Sequence, residues 1–281
     1  MKRRTYLSGI ATASGFFTLG VGVHSHDSIV QAEASDTARE PAYMLLEGTQ
    51  YETGVYVIDA PRSGPTAVVV GGIHGDERSG YRAASAVTGW QFDAGQVVVL
   101  PRANQPAIER GTREGVYGDL NRKFPPEEEP TTRLARAIWN NVVLRHEPDV
   151  LMDLHRSKGI YKFHQSFVGQ AIYPTDIGDA PSNAVETVEL LNEEYVPWYM
   201  PYHDFKRGNI LYGTSPMLAH KVGEALEEPA YIVETTTFLT DLDTRVKWTK
   251  GAAEKLLSLH GIERAGKNRN QKRIKIERSS R

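Results

Sequence analysis

His74 and Glu77 stand three residues apart in VVVGGIHGDERSG (residues 68–80), just after three valines, two glycines and Ile73. An imidazole and a carboxylate so close to a strand end suit a metal ion, and they equally suit a polar turn. His260 and Glu263 repeat the spacing with no strand behind them, so the pair alone identifies nothing. A third donor, His155, closes the apolar run DVLMDLH (149–155). Two His and one Glu make a nitrogen and oxygen set suited to zinc, with a fourth position open to water. Catalytic zinc sites need that position, because water there becomes acidic enough to supply hydroxide.

Glu234, at the end of the apolar run in AYIVETTT (230–237), is the candidate base. Partial burial raises a carboxylic acid's pKa toward the range useful for proton transfer. Taken alone, it reads equally as a strand-end residue paired with a surface Lys. The segment ERGTREGVYGDLNRKFP (109–125) adds four groups. Arg113 suits an oxyanion, and Asp119 suits the far nitrogen of a metal-bound His. Asn121 and Arg122 offer a neutral donor and a planar fork to a substrate carboxylate. A polar loop with surface salt bridges is the plainer reading of that stretch. His164, His203 and His220 are read as surface or structural residues.

The elements that must position these groups follow from periodicity. TAVVVGG (66–72), QVVVLP (96–101), DVLMDLH (149–155) and AYIVETTT (230–237) are short continuous apolar runs, the pattern of strands buried on both faces. AYMLLEG (42–48) and GVYVIDA (54–60) read as earlier strands around a turn. Helical spacing is expected over 77–90, 130–146, 182–195, 215–226 and 241–261. Alternating strands and helices predict an α/β domain over 36–261: a mixed, largely parallel sheet with helices on both faces. In such sheets ligands bind beyond the carboxyl ends of central strands. Three of the four buried runs end in candidate groups there.

The ends differ from the middle. MKRRTYLSGIATASGFFTLGVGV is basic, then weakly apolar; Arg3-Arg4 with Ala32–Ala34 predicts a twin-arginine-type export signal over 1–34. Residues 262–281 are expected to form a disordered basic tail. The net charge of −2 divides into +3 on residues 1–5, +6 on 262–281 and −11 between them. The tail lacks the aromatic residues or fold that would read bases, so no specific nucleic-acid partner is expected. With no cysteine, disulfides, thiolate metal sites and a cysteine nucleophile are excluded.

In chain order, GGIHGDE, LPRANQPA, GDLNRKFP, LMDLH and IVETTT resemble the zinc carboxypeptidases and their deacylase relatives, most of all the succinylglutamate desuccinylase/aspartoacylase family. The resemblance spans about residues 66–237. It implies one zinc per chain on His74, Glu77 and His155, and Glu234 as promoter of the water. It further implies Asn121-Arg122 as the grip on a substrate carboxylate, with Arg113 near the family's oxyanion arginine. Relatives often carry a C-terminal β domain; the 47 residues after Glu234 leave room here for a helix and a tail. The expected activity is an exported zinc-dependent amide hydrolase, a deacylase of a small carboxylate-bearing substrate such as an N-acyl amino acid. A metallocarboxypeptidase is the first alternative. A non-enzymatic metal- or surface-binding protein is the second.

Overall fold

Runs of β-branched residues buried on both faces become the middle of the sheet. The computed structural model describes residues 39–266. Eight strands appear there: β1 (Tyr43–Leu45), β2 (Thr53–Asp59), β3 (Thr66–Gly71), β4 (Gln96–Leu100), β5 (Val150–Ser157), β6 (Ala171–Pro174), β7 (Lys206–Arg207) and β8 (Ala230–Thr236). Their spatial order is β1-β2-β4-β3-β5-β8-β6-β7. The central four, β4, β3, β5 and β8, run parallel. Antiparallel pairings join them to β2 on one side and β6 on the other. The fold is therefore the expected mixed α/β sheet.

Successive strand residues face opposite layers. Val69, Met152, Leu154 and Val233 pack with α1 (Arg78–Val87), α5 (Ala180–Glu194) and α7 (Leu242–Leu259). Val68, Val70, Leu151 and Ile232 pack on the other face. That layer contains α3 (Arg133–Ile138), a π turn (Trp139–Val143) leading to α4 (Leu144–His146), and α6 (Leu218–Leu226). Each valine or leucine fully buried this way contributes about 1.5–3 kcal/mol relative to exposure.

Several expected boundaries move. α1 begins at Arg78 with Glu77 as its N-cap, so the metal-ligand candidate sits at the helix mouth. The helix expected from 130 starts at Arg133, where Thr132 Oγ1 accepts the Ala135 amide. Three short elements have no counterpart in the periodicity: β6, β7 and α2 (Gln105–Arg110). The tail expected from 262 is corrected at its start. Ile262 is fully buried, and Arg264 bridges Phe92 while the Asp93 amide binds the Glu263 carbonyl. The signal expected over 1–34 and the tail beyond 266 lie outside the described residues.

Candidate metal centre

β3 delivers its last residues to the carboxyl edge of the sheet and turns at Gly72, whose φ of +77° favours glycine. The Ala103 and Asn104 amides hold the Gly71 and Gly72 carbonyls, fixing the exit direction. His74 and Glu77 follow, both 2 % exposed. β5 pairs with β3 up to Gly71 and Leu154, so His155 stands one residue beyond the pairing, beside the same turn.

Both imidazoles turn Nδ1 toward Glu77. His74 Nδ1 lies 2.9 Å from Glu77 Oε1, and His155 Nδ1 lies 2.7 Å from Oε2. The two Nδ1 atoms are 3.1 Å apart. Nitrogen ligands at zinc distance in a tetrahedron would be about 3.3 Å apart, so the donor set and its spacing fit one zinc ion. Among the described residues this is the one His and carboxylate group gathered closely enough for a metal. His260 and Glu263 are not part of such a group. His260 instead bonds Tyr231 Oη at 2.8 Å.

Behind each imidazole stands a second carboxylate. His74 Nε2 donates to Asp119 Oδ1 at 2.9 Å. Asp119 Oδ1 also accepts the Asn121 amide, capping the 3-10 turn Leu120–Arg122. For His155 the partner is Asp153, whose Oδ2 lies 2.7 Å from Nε2 as a close ionic contact. Asp153 was missed in the sequence, although the i, i+2 spacing in LMDLH places both side chains on one strand face. Arg156 was also unassigned. Its main-chain amide donates to Glu77 Oε2 at 3.0 Å, and its guanidinium binds Asp76 at 2.8 Å.

Burial opposes charge on all four groups, and the pairing outweighs it. Glu77 is held well below the usual carboxylate range by His155 and His74, and Asp119 likewise by His74, Arg113 and Arg122. Hydrogen bonds to Asp119 and Glu77 raise His74 despite burial. Asp153 and Glu77 raise His155 further.

Glu234 is the exception. It stands opposite His155 in the β5–β8 register, and its Oε2 is buried without a hydrogen-bond partner. Burial first, then the charge of Glu77, pushes its pKa up to about 8.

Arg113 is half exposed and spans Glu77 Oε1 at 2.9 Å and Asp119 Oδ2 at 3.3 Å, directly over the donor set. Asn121 is buried, with its oxygen accepting the Leu218 amide at 3.0 Å and its nitrogen 3.4 Å from His155 Nε2. Arg122 is exposed and makes one bond to the Asn121 carbonyl, leaving most of its fork for a ligand. A groove of about 680 Å³ lined by Arg207, Leu211, Tyr212, Ser215, Met217 and His220 runs beside this turn. His164 is exposed and bonded to Ser166, whereas His203 is buried against Phe238.

Residues 63–208 match the family model of the succinylglutamate desuccinylase/aspartoacylase catalytic domain. The match includes His74, Glu77, Arg113, Asp119, Asn121, Arg122, Asp153 and His155, and ends before Glu234. An N-alpha-acetyl-L-2,4-diaminobutyric acid deacetylase of Halomonas elongata is 34% identical over 113 residues, which are 37% of this chain and 33% of the deacetylase. Csd4 of Helicobacter pylori, a D,L-carboxypeptidase, shares the fold with a TM-score of 0.62 at 22% identity, over 75% of this chain and 55% of Csd4. The ectoine utilization protein EutE (DoeB) of Ruegeria pomeroyi gives 0.52 at 18% identity, over 75% and 62%. The chain thus matches a third of the deacetylase's length and little more than half of Csd4's.

Proposed function

The chain belongs to the succinylglutamate desuccinylase/aspartoacylase family, and on that premise we propose that it is a zinc-dependent amide hydrolase. Its substrate is a small carboxylate-bearing amide such as an N-acyl amino acid. The observation that carries this reading is Glu234: a carboxyl whose Oε2 is buried without a hydrogen-bond partner, set beside a complete His-Glu-His donor set. Metal storage needs the donors and has no use for that acid.

His74, Glu77 and His155 would hold zinc, which when bound supplies Lewis acidity to a carbonyl and to water. The protein's own groups divide the remaining work. Glu234, poised near neutrality, takes a proton from the attacking water and delivers it to the leaving amine. Arg113, above the donor set, offers its remaining N–H groups to the oxyanion. Arg122 holds the substrate carboxylate, and Asn121 holds Arg122's turn while keeping one amide hydrogen for a ligand. Asp119 and Asp153 orient the two imidazoles.

The test is a panel of N-acyl amino acids and short peptides offered to zinc-loaded protein and to Glu234→Gln. Wild type should hydrolyse N-acyl amino acids, and the variant should keep zinc and lose about 10²–10⁴-fold in rate. Hydrolysis confined to peptides with a free carboxyl terminus would replace the deacylase with a carboxypeptidase. Equal rates for variant and wild type would leave a metal-binding protein without this catalysis.

Export is part of the same proposal and rests on Arg3-Arg4 and the weakly apolar stretch that follows. Replacing both arginines by lysine should retain the chain inside the cell, as fractionation would show.

A further inference from the structure

Lys221 lies on α6 with 4 % of its surface exposed. Its Nζ donates to three main-chain carbonyls: Pro125 at 2.9 Å, Pro126 at 3.2 Å and Glu128 at 2.7 Å. The Trp139 ring covers it, with Nζ 4.6 Å from the centroid. An ammonium has three N–H donors and no acceptor, so three carbonyls satisfy it completely. A buried cation is tolerated only when it is met in this way.

The carbonyls belong to PPEEEP (125–130), where three prolines lack an N–H and cannot join a ladder. The first residue of the same helix and Pro216 just before it grip the residues leading into that segment. Leu218 N donates to Asn121 Oδ1, and the Pro216 carbonyl accepts the Phe124 amide at 3.1 Å. Arg122 lies between these two anchors, three residues after Asp119, which reaches His74. One helix therefore fastens both the turn bearing Arg122 and the proline loop that follows it.

We infer that Lys221 is a positioning residue: its three-carbonyl tripod locks the Asp119–Glu128 segment onto α6 and so sets where Arg122 presents its guanidinium to a substrate carboxylate. The last clause rests on the carboxylate role proposed for Arg122; the tripod does not. Lys221→Met keeps the apolar stem against Trp139 and removes the donors. Lys221→Arg keeps the charge, but a planar fork does not match a tripod.

Hydrogen exchange on zinc-loaded full chain decides the matter. Both variants should lose at least about tenfold in amide protection over residues 119–131 while β3, β5 and β8 keep theirs. Zinc affinity should stay the same, and succinate, titrated by calorimetry, should bind at least about fivefold more weakly. Unchanged protection in 119–131, or an equal loss across the sheet, would overturn the inference. Should neither variant fold, nitrogen NMR of wild type serves instead. The Lys221 ammonium protons should then exchange at least about tenfold more slowly than those of surface lysines, and equal rates would overturn the tripod. If wild type fails to bind succinate, the carboxylate role of Arg122 falls, and the exchange pattern still decides the tripod.

Discussion

His155 on β5 and Glu234 on β8 are register partners in a parallel pair, so a candidate ligand imidazole and a carboxyl with one unpartnered oxygen stand side by side on adjacent strands. Partners in a parallel pair point to the same face of the sheet. Glu234 is thereby held by the β5–β8 and β6–β8 ladders rather than by a loop, a rigid way to place the group proposed above as the base.

The pH dependence of stability follows from that placement. Glu234 has a folded pKa of about 8 against 4.5 for a free side chain. It binds its proton more tightly when folded, so its contribution is complete below the lower value and is lost as pH rises through the upper one. Glu234→Gln cannot suffer that loss. In chelator-treated protein, the variant's melting temperature should gain several degrees on wild type between about pH 5 and about pH 9. A constant difference across that range would refute the raised pKa.

Metal binding should release protons. Neighbouring carboxylates raise His74 and His155 despite burial, and both must be neutral to serve as ligands. Zinc affinity should fall as pH falls, by roughly tenfold per unit for each proton displaced. Calorimetry in buffers of different ionisation enthalpy counts those protons; a count of zero contradicts the assignment.

The carboxylates behind the imidazoles should matter to the metal. Asp119→Asn and Asp153→Asn are each expected to weaken zinc binding by about 10–100-fold, measured by competition with a chromogenic chelator. Unaltered affinity in both would show that neither carboxylate orients its histidine.

Gly80 is where α1 meets β5 most closely. A Cβ there would run into the Leu154 carbonyl oxygen, one residue before His155. Gly80→Ala should cost about 1–3 kcal/mol or more in urea unfolding. Gly111→Ala meets no atom within 4 Å but has φ of +62°, and should cost only about 1–2 kcal/mol. A reversal of that ranking would mean the helix and strand can separate without penalty.

Much of the architecture was legible because burial leaves a local imprint. Val68–Val70, Val97–Val99 and Leu151–Met152 face apolar layers on both sides, so their strands read as unbroken apolar runs. β6 and β7 left no such imprint, being four and two residues long. Lys221 sits in a helix among polar and apolar neighbours, and only the proline loop 93 to 96 positions away shows that it is buried.

By itself, the sequence determined the order of the buried strands and longer helices, the donor types and their arrival at strand ends, because hydrophobic period and metal chemistry are both local properties of residues. The pairing of β5 with β3 on one side and β8 on the other was decided only in the tertiary structure. That register brings together residues 74, 155 and 234. Strand register is set by packing across the whole sheet, and no spacing along the chain encodes it.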